Sequence, residues 1–176
     1  YSGATKYYLG KSALPDFTGG LNMTFAYKGI DLSIATAFQI GGWAYDYSYL
    51  DGMSSTFYVG HNKDMWKTFD PETGQGELPI WNVNNTSNSY SQTSDAHLVK
   101  ASYFSLRNVT LGYSFPKSWM SKLGISGLRV FVTADNVALC SARRGFDPRT
   151  SLSGSNRDFG GYSPLRVISG GVNLTF

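Results

Sequence analysis

The residues of this chain that are equipped for catalysis are few and poorly spaced for it. Its two histidines, His61 and His97, fall in one long polar stretch. Neither has a serine or cysteine nucleophile beside it in a recognisable setting, and both read as exposed loop residues. The one cysteine, Cys140, has no histidine or metal-ligand spacing around it and no partner for an internal disulfide. The run Asp70-Pro71-Glu72-Thr73-Gly74-Gln75-Gly76-Glu77 lacks the ligand spacing of a calcium loop and reads as a turn. No catalytic residue, cofactor or metal is expected, and the chain is not read as an enzyme.

Binding chemistry is better provided for. The stretch from about residue 44 to 101 carries Tyr45, Tyr47, Tyr49, Trp66, Trp81 and Tyr90 among Asn and Asp residues. Such rings can stack on sugar faces, meet a protein partner, or pack the stretch against itself. Trp66, Trp81 and Tyr90 are the candidates for contact outside the chain. Arg129 and Asp135 are two opposite charges in an otherwise uncharged run. The formal net charge is only +3, from 15 Lys plus Arg against 12 Asp plus Glu, with no basic run. Nucleic acid is therefore not expected as a partner.

The elements that must carry these groups are long strands with a period of two. Over about residues 17–27, Phe17, Leu21, Met23, Phe25 and Tyr27 fall on one face, opposed by Thr18, Asn22 and Thr24. Over about 30–43, Ile30, Leu32, Ile34, Phe38 and Ile40 oppose Asp31, Ser33, Ala35 and Gln39. Only Lys28-Gly29 separates these two runs, a two-residue hairpin turn. Over about 102–115, Val109, Leu111, Tyr113 and Phe115 alternate with Asn108, Thr110, Gly112 and Ser114; the slip between Leu106 and Val109 calls for a β-bulge. Over about 128–136, Leu128, Val130, Val132 and Ala134 oppose Arg129, Phe131, Thr133 and Asp135. Over about 166–176, Ile168, Val172, Leu174 and Phe176 alternate with Ser169, Gly171, Asn173 and Thr175.

Strands in soluble proteins average about five or six residues, whereas an apolar membrane band is crossed by roughly 9–11 tilted residues. One apolar and one small polar face, repeated five times along the chain, is the pattern of a wall with lipid outside and water or a polar plug inside. No run of apolar residues is long enough for a membrane-spanning helix, which does not bear on barrels. Charged residues make up 15% and aromatics 15% of the chain. That composition fits such a wall, and also a large secreted β-sandwich.

The connections point the same way. Two residues join the first pair of strands, about 44–101 the second and third, Pro116 to Gly127 the third and fourth, and about 137–165 the last two. Short periplasmic turns and long extracellular loops alternate in this manner around outer-membrane barrels, which makes 44–101 and 137–165 extracellular. Tyr27, Tyr113, Phe115 and Phe176 then mark the periplasmic border and Trp43 the outer one, as interface aromatics. Arg129 and Asp135 face the lumen as candidate plug contacts, since a charge at membrane depth needs water or a partner. Pro116 and Gly124 bracket a short interfacial helix, with Trp119, Met120 and Leu123 on one face.

Five strands cannot close a membrane barrel, and an open sheet in lipid leaves two rows of unpaired backbone groups. The chain also opens on Tyr1, without Met or a signal-peptide pattern. Either further strands lie upstream or several chains close one barrel, and strands upstream of Tyr1 are the favoured expectation.

The segment Ser105-Leu106-Arg107-Asn108-Val109-Thr110-Leu111-Gly112-Tyr113-Ser114-Phe115-Pro116 resembles the late-strand motif of SusC/RagA-type TonB-dependent transporters of Bacteroidetes. Lys122-Leu123-Gly124-Ile125, Leu128-Arg129-Val130-Phe131-Val132, Asp135-Asn136, Gly145-Phe146-Asp147-Pro148, Tyr162-Ser163-Pro164-Leu165-Arg166 and the closing Gly171-Val172-Asn173-Leu174-Thr175-Phe176 are similar to that family's pattern in the same order. So is Leu14-Pro15-Asp16-Phe17-Thr18-Gly19-Gly20-Leu21, upstream. Cys140-Ser141 departs from it, where hydrophobic or aromatic residues are frequent. The resemblance implies an all-β fold: the last five strands of a 22-stranded antiparallel transmembrane barrel. It implies a plug domain, a contact with the TonB complex and a SusD-like surface lipoprotein, all outside this chain. It implies energised import of glycans or peptides. Phe176, a terminal aromatic, would be the signal read by barrel assembly. A barrel that displays an adhesin without transport, or a secreted glycan-binding sandwich, are the rival functions.

Overall fold

The computed structural model describes residues 3, 5–53, 62–80, 94–120, 124–150 and 164–176, which form two compact units. One unit comprises the described parts of Pro15–Gly41, Ser102–Asp147 and Tyr162–Phe176. It is built on a single antiparallel sheet of strands β1 (Phe17–Tyr27), β2 (Ile30–Ile40), β5 (Tyr103–Ser114), β6 (Gly127–Ser141) and β7 (Val167–Thr175), side by side in that order. Among the described residues, β1 pairs only with β2 and β7 only with β6, so each leaves one edge open.

The hairpin between β1 and β2 shows why a two-residue loop suffices. Lys28 and Gly29 have φ of 47° and 87°, the positive pair that matches turn twist to strand twist. A side chain at Gly29 would also start 2.6 Å from the Ser114 carbonyl oxygen.

Register carries the two faces across the whole sheet. Phe25, Leu32, Leu111 and Val132 form one cross-strand row, and Tyr27, Ile30, Tyr113, Val130 and Val172 another. On the opposite face Thr24, Ser33, Thr110, Thr133 and Ser169 form a row of hydroxyls. The large apolar side chains are not a core. Phe25 is 57%, Val132 52% and Val172 57% exposed, while the buried apolar residues Ala44, Met53, Ala101, Met120 and Phe146 all lie outside that face.

The slip between Leu106 and Val109 is a bulge. Pairing with β2 steps from Ala35–Asn108 to Thr36–Leu106 and leaves Arg107 extra. Opposite it, β6 carries two extra residues, Asn136 and Val137, between its pairs with Asn108 and Leu106. Asn136 takes a φ of 51° there, a left-handed conformation that Asn tolerates well. The bulges return Phe104 to the side of Phe38, so the apolar face continues past them. They also correct a boundary. The expected end of the fourth strand at 136 is only this irregularity, and β6 runs on to Ser141. The expected second strand, 30–43, stops at Ile40, where Gly41 and Gly42 adopt φ of 82° and 77°.

After β5 a single helical turn, α2 (Lys117–Met120), buries Met120 but leaves Trp119 60% exposed. Neighbouring positions are about 100° apart around a helix, so Trp119 and Met120 do not share a face as expected; Leu123 lies outside the described residues.

The other unit comprises the described parts of Tyr1–Leu14, Gly42–Ala101 and Pro148–Gly161. The expected long loop has structure of its own: β3 (Trp43–Tyr45) pairs with β4 (Leu98–Lys100), and α1 (Tyr47–Gly52) starts at Asp46, whose carboxylate accepts a bond from the Tyr49 N–H at 3.0 Å. The expectation that His97 is an exposed loop histidine is wrong. It is 0% exposed, with the rings of Tyr45 and Tyr49 centred 6.0 and 6.2 Å away. Aromatic self-packing takes up these two tyrosines.

Candidate functional site

The polar face of the five-stranded sheet holds the concentrated chemistry of the described residues. Period two puts Asp31, Asn108, Thr110, Arg129, Thr133 and Asp135 on it, and register brings them together. Asn108 Nδ2 donates to Thr133 Oγ1 at 2.9 Å and to Asp135 Oδ1 at 2.8 Å. Thr110 Oγ1 donates to Asn108 Oδ1 at 3.0 Å and lies 2.8 Å from Thr133 Oγ1. Both amide hydrogens of Asn108 are thereby used, which fixes its orientation.

Arg129 reaches across β5 to Asp31 on β2. Its Nε donates to Oδ1 at 3.0 Å and its Nη2 to Oδ2 at 2.5 Å, a two-pronged pair. Gly112 makes the crossing possible: a Cβ there would sit 2.5 Å from Nη2 and 2.6 Å from the carboxylate. The guanidinium carbon also stands 5.2 Å above the Phe131 ring, within range of a cation–π contact. Phe131 in turn occupies the space over Gly171, where a Cβ would meet the ring at 2.5 Å. Two glycines thus make room for two large side chains on a face otherwise of small residues.

The expected site residues are distributed as follows. Arg129 and Asp135 share the polar face but not each other; their partners, Asp31 and Asn108, were not singled out. Period two placed both on this face, yet pairing across 98 positions needs register. Tyr27, Tyr113, Phe115 and Phe176 gather at one end of the sheet, with the Tyr113 and Phe115 rings 4.9 Å apart and Phe176 86% exposed. Trp43 lies in β3 of the other unit, with Lys11 Nζ 4.2 Å over its ring. Trp66 is 93% exposed at a 3-10 turn, Lys63–Lys67. Trp81, Tyr90 and His61 lie outside the described residues. The acidic run after Phe69 is a turn: Asp70 accepts from the Glu72 N–H at 3.0 Å and the Thr73 hydroxyl at 2.9 Å. The Glu72 N–H, then the Thr73 hydroxyl, hold its carboxyl below the usual range.

An antiparallel sheet with an exposed apolar face and a bonded polar face is a segment of membrane-barrel wall. No family model matches the chain. TonB-dependent receptors P3 and P39 of Formosa agariphila are 25% and 28% identical to it over 171 and 176 residues, covering 92% and 94% of this chain. TonB-dependent receptor SusC of Bacteroides thetaiotaomicron is 25% identical over 178 residues, covering 96%. The chain spans 16% of the length of each of these relatives. Structures of the RagAB peptide importer in an open-open state and of the RagAB peptide transporter superpose with TM-scores of 0.77 and 0.76 at 21% and 23% identity. They cover 98% and 94% of this chain, which spans 19% and 18% of theirs. The chain is homologous to SusC and TonB-dependent receptors, and its fold is that of a segment of such a barrel.

Replacing Asp31 or Arg129 by Ala strands the remaining charge on the polar face. Each should destabilise the folded wall, the double variant by less than their sum. Urea unfolding of the assembled barrel checks this; strictly additive losses would remove the pair from the account.

Proposed function

We propose that this chain is part of the wall of an outer-membrane importer energised by the TonB complex. The open edges of β1 and β7 continue into the remaining strands of a larger barrel, and the polar face meets water and a plug domain inside it. A SusD-like lipoprotein covers the outer side, and lipid meets the apolar face. The cargo is a nutrient such as a glycan or oligopeptide. The homologues are receptors and transporters, which supports a role without catalysis.

The observation that carries this reading is the exposure of Phe25, Leu111, Val132 and Val172 on one continuous face. A soluble sandwich would bury that face against a second sheet, and in water it would be an aggregation surface. Hydrocarbon is the solvent it suits. Tyr27, Tyr113, Phe115 and Phe176 serve as border aromatics, and Arg129 and Asp135 as lumen groups near the plug. The exposed Trp66 is available to the lid or the cargo.

Val132→Lys should cost about 2–4 kcal/mol in a bilayer, lowering the yield of heat-modifiable barrel and energised nutrient uptake together. Thr133→Lys, one residue away on the polar face, should be tolerated far better. Equal tolerance of both, or uptake that survives collapse of the proton-motive force, would defeat the reading.

A further inference from the structure

One end of the five-stranded sheet carries positive charge that the fold leaves unanswered. It is the end where Lys28 and Gly29 turn β1 into β2 and where β5 passes into α2. The Ser114 N–H donates to the Gly29 carbonyl at 2.7 Å, which fixes the hairpin against the end of β5. Lys117 follows Ser114 by three residues, so its backbone lies within about 10 Å of that bond. Asp31 and Arg129 are the other charges near this end, and they neutralise one another on the polar face. Lys28 and Lys117 are both exposed, and among the described residues neither side chain has a hydrogen bond or an ion pair. Two positive charges are left without a counter-charge.

Lys28 is turned to the apolar side. Its Nζ stands 5.2 Å from the centre of the Tyr27 ring, within range of a cation–π contact. Tyr27 belongs to the apolar row of Ile30, Tyr113 and Val130 and is 69% exposed. The Tyr113 ring lies beside the hairpin, 3.4 Å from where a Cβ of Gly29 would be. Trp119, two residues past Lys117, is exposed as well, and its type suits the same border depth. In a barrel wall this face is the outside, which neither a plug in the lumen nor a lid at the far end reaches. Lipid is what covers it.

An ammonium above aromatic rings at the edge of an apolar face sits at headgroup depth. Two lysines with no free carboxylate beside them favour a headgroup of net negative charge. A zwitterionic headgroup would bring its own ammonium against them, and a free phosphate would gain nothing from the rings.

We propose that Lys28 and Lys117, with the rings of Tyr27 and Tyr113, hold the headgroup of an anionic phospholipid in the leaflet that faces the periplasm. The two ammonium groups donate to its phosphate oxygens, and the rings lie along its glycerol and upper acyl chains. This rests on the barrel-wall reading, because it requires the apolar face to meet lipid and this end to point to the periplasm.

The test is native mass spectrometry of the full-length receptor that carries this chain, delipidated in detergent and titrated with phosphatidylglycerol or phosphatidylcholine. Phosphatidylglycerol should be retained at a concentration at least about fivefold lower. Lys28→Gln should weaken its retention roughly fivefold, and Lys28→Arg should not. The variant with both Lys28→Gln and Lys117→Gln should retain one phosphatidylglycerol fewer than wild type. Lys63→Gln, at an exposed lysine of the other unit, should change nothing, and millimolar inorganic phosphate should not displace the lipid. Heat-modifiable migration confirms that each variant is assembled. An unchanged lipid count and affinity in the double variant, equal retention of phosphatidylcholine, or displacement by phosphate overturns the site while leaving the barrel intact. A wild-type receptor that forms no heat-modifiable barrel defeats the wall reading, and the site with it.

Discussion

Hydrocarbon offers a backbone amide no hydrogen-bond partner. A sheet that enters it must satisfy every N–H and C=O from neighbouring strands and present only apolar side chains outward. This requirement sets the length of the strands, the period of their side chains and the register that aligns them. The ladder from β1 through β7 is unbroken but for the bulges around Arg107, Asn136 and Val137. There the chain supplies side chains in place of ladder bonds: Asn136 Nδ2 donates to the Leu165 carbonyl at 3.1 Å, and Arg166 Nη2 to the Val137 carbonyl at 2.6 Å.

The same division of faces governs where charge can go. Asp31 and Arg129 are tolerable in a wall because they are side by side, two-pronged and turned to the polar side. Gly112 is the condition for that arrangement, since any side chain there occupies the space the guanidinium crosses. The pair ties β2 to β6 over the strand between them, whereas the side-chain bonds of Asn108 and Thr110 to Thr133 and Asp135 join only the neighbouring strands β5 and β6. Its worth to stability is moderate, because desolvating two charges offsets much of their attraction. Its larger effect is to hold three strands in one register, as a slip of one residue would turn Asp31 to the other face.

How much of this was legible in the sequence depended on range. Alternation of single residues exposed both faces, and the failed alternation at Leu106–Val109 exposed the bulge, because both are local consequences of the pleat. The strand end at Asn136 was misread for a related reason. Two extra residues on β6 look like a terminus until the partner strand is known, and the ladder resumes at Ala138. Arg129 was recognisable as a charge in need of a partner, but Asp31 as that partner was not. Buried His97 was hidden because loop composition does not reveal that β3, β4 and α1 enclose a small core.

The central claim is that the Leu/Val face contacts lipid and the Asn/Thr face does not. Site-directed spin labelling reads it directly in the full-length receptor in bilayers, with Cys140→Ser removing this chain's native thiol. Labels at Val130→Cys, Val132→Cys and Val172→Cys should collide readily with oxygen, which concentrates in hydrocarbon, and poorly with a water-soluble nickel chelate. Labels at Thr133→Cys and Asn173→Cys should lose that preference for oxygen, giving an accessibility pattern of period two along β6 and β7. The same low accessibility to both reagents at 130, 132 and 172 would mean a dry protein interior, and would contradict the account.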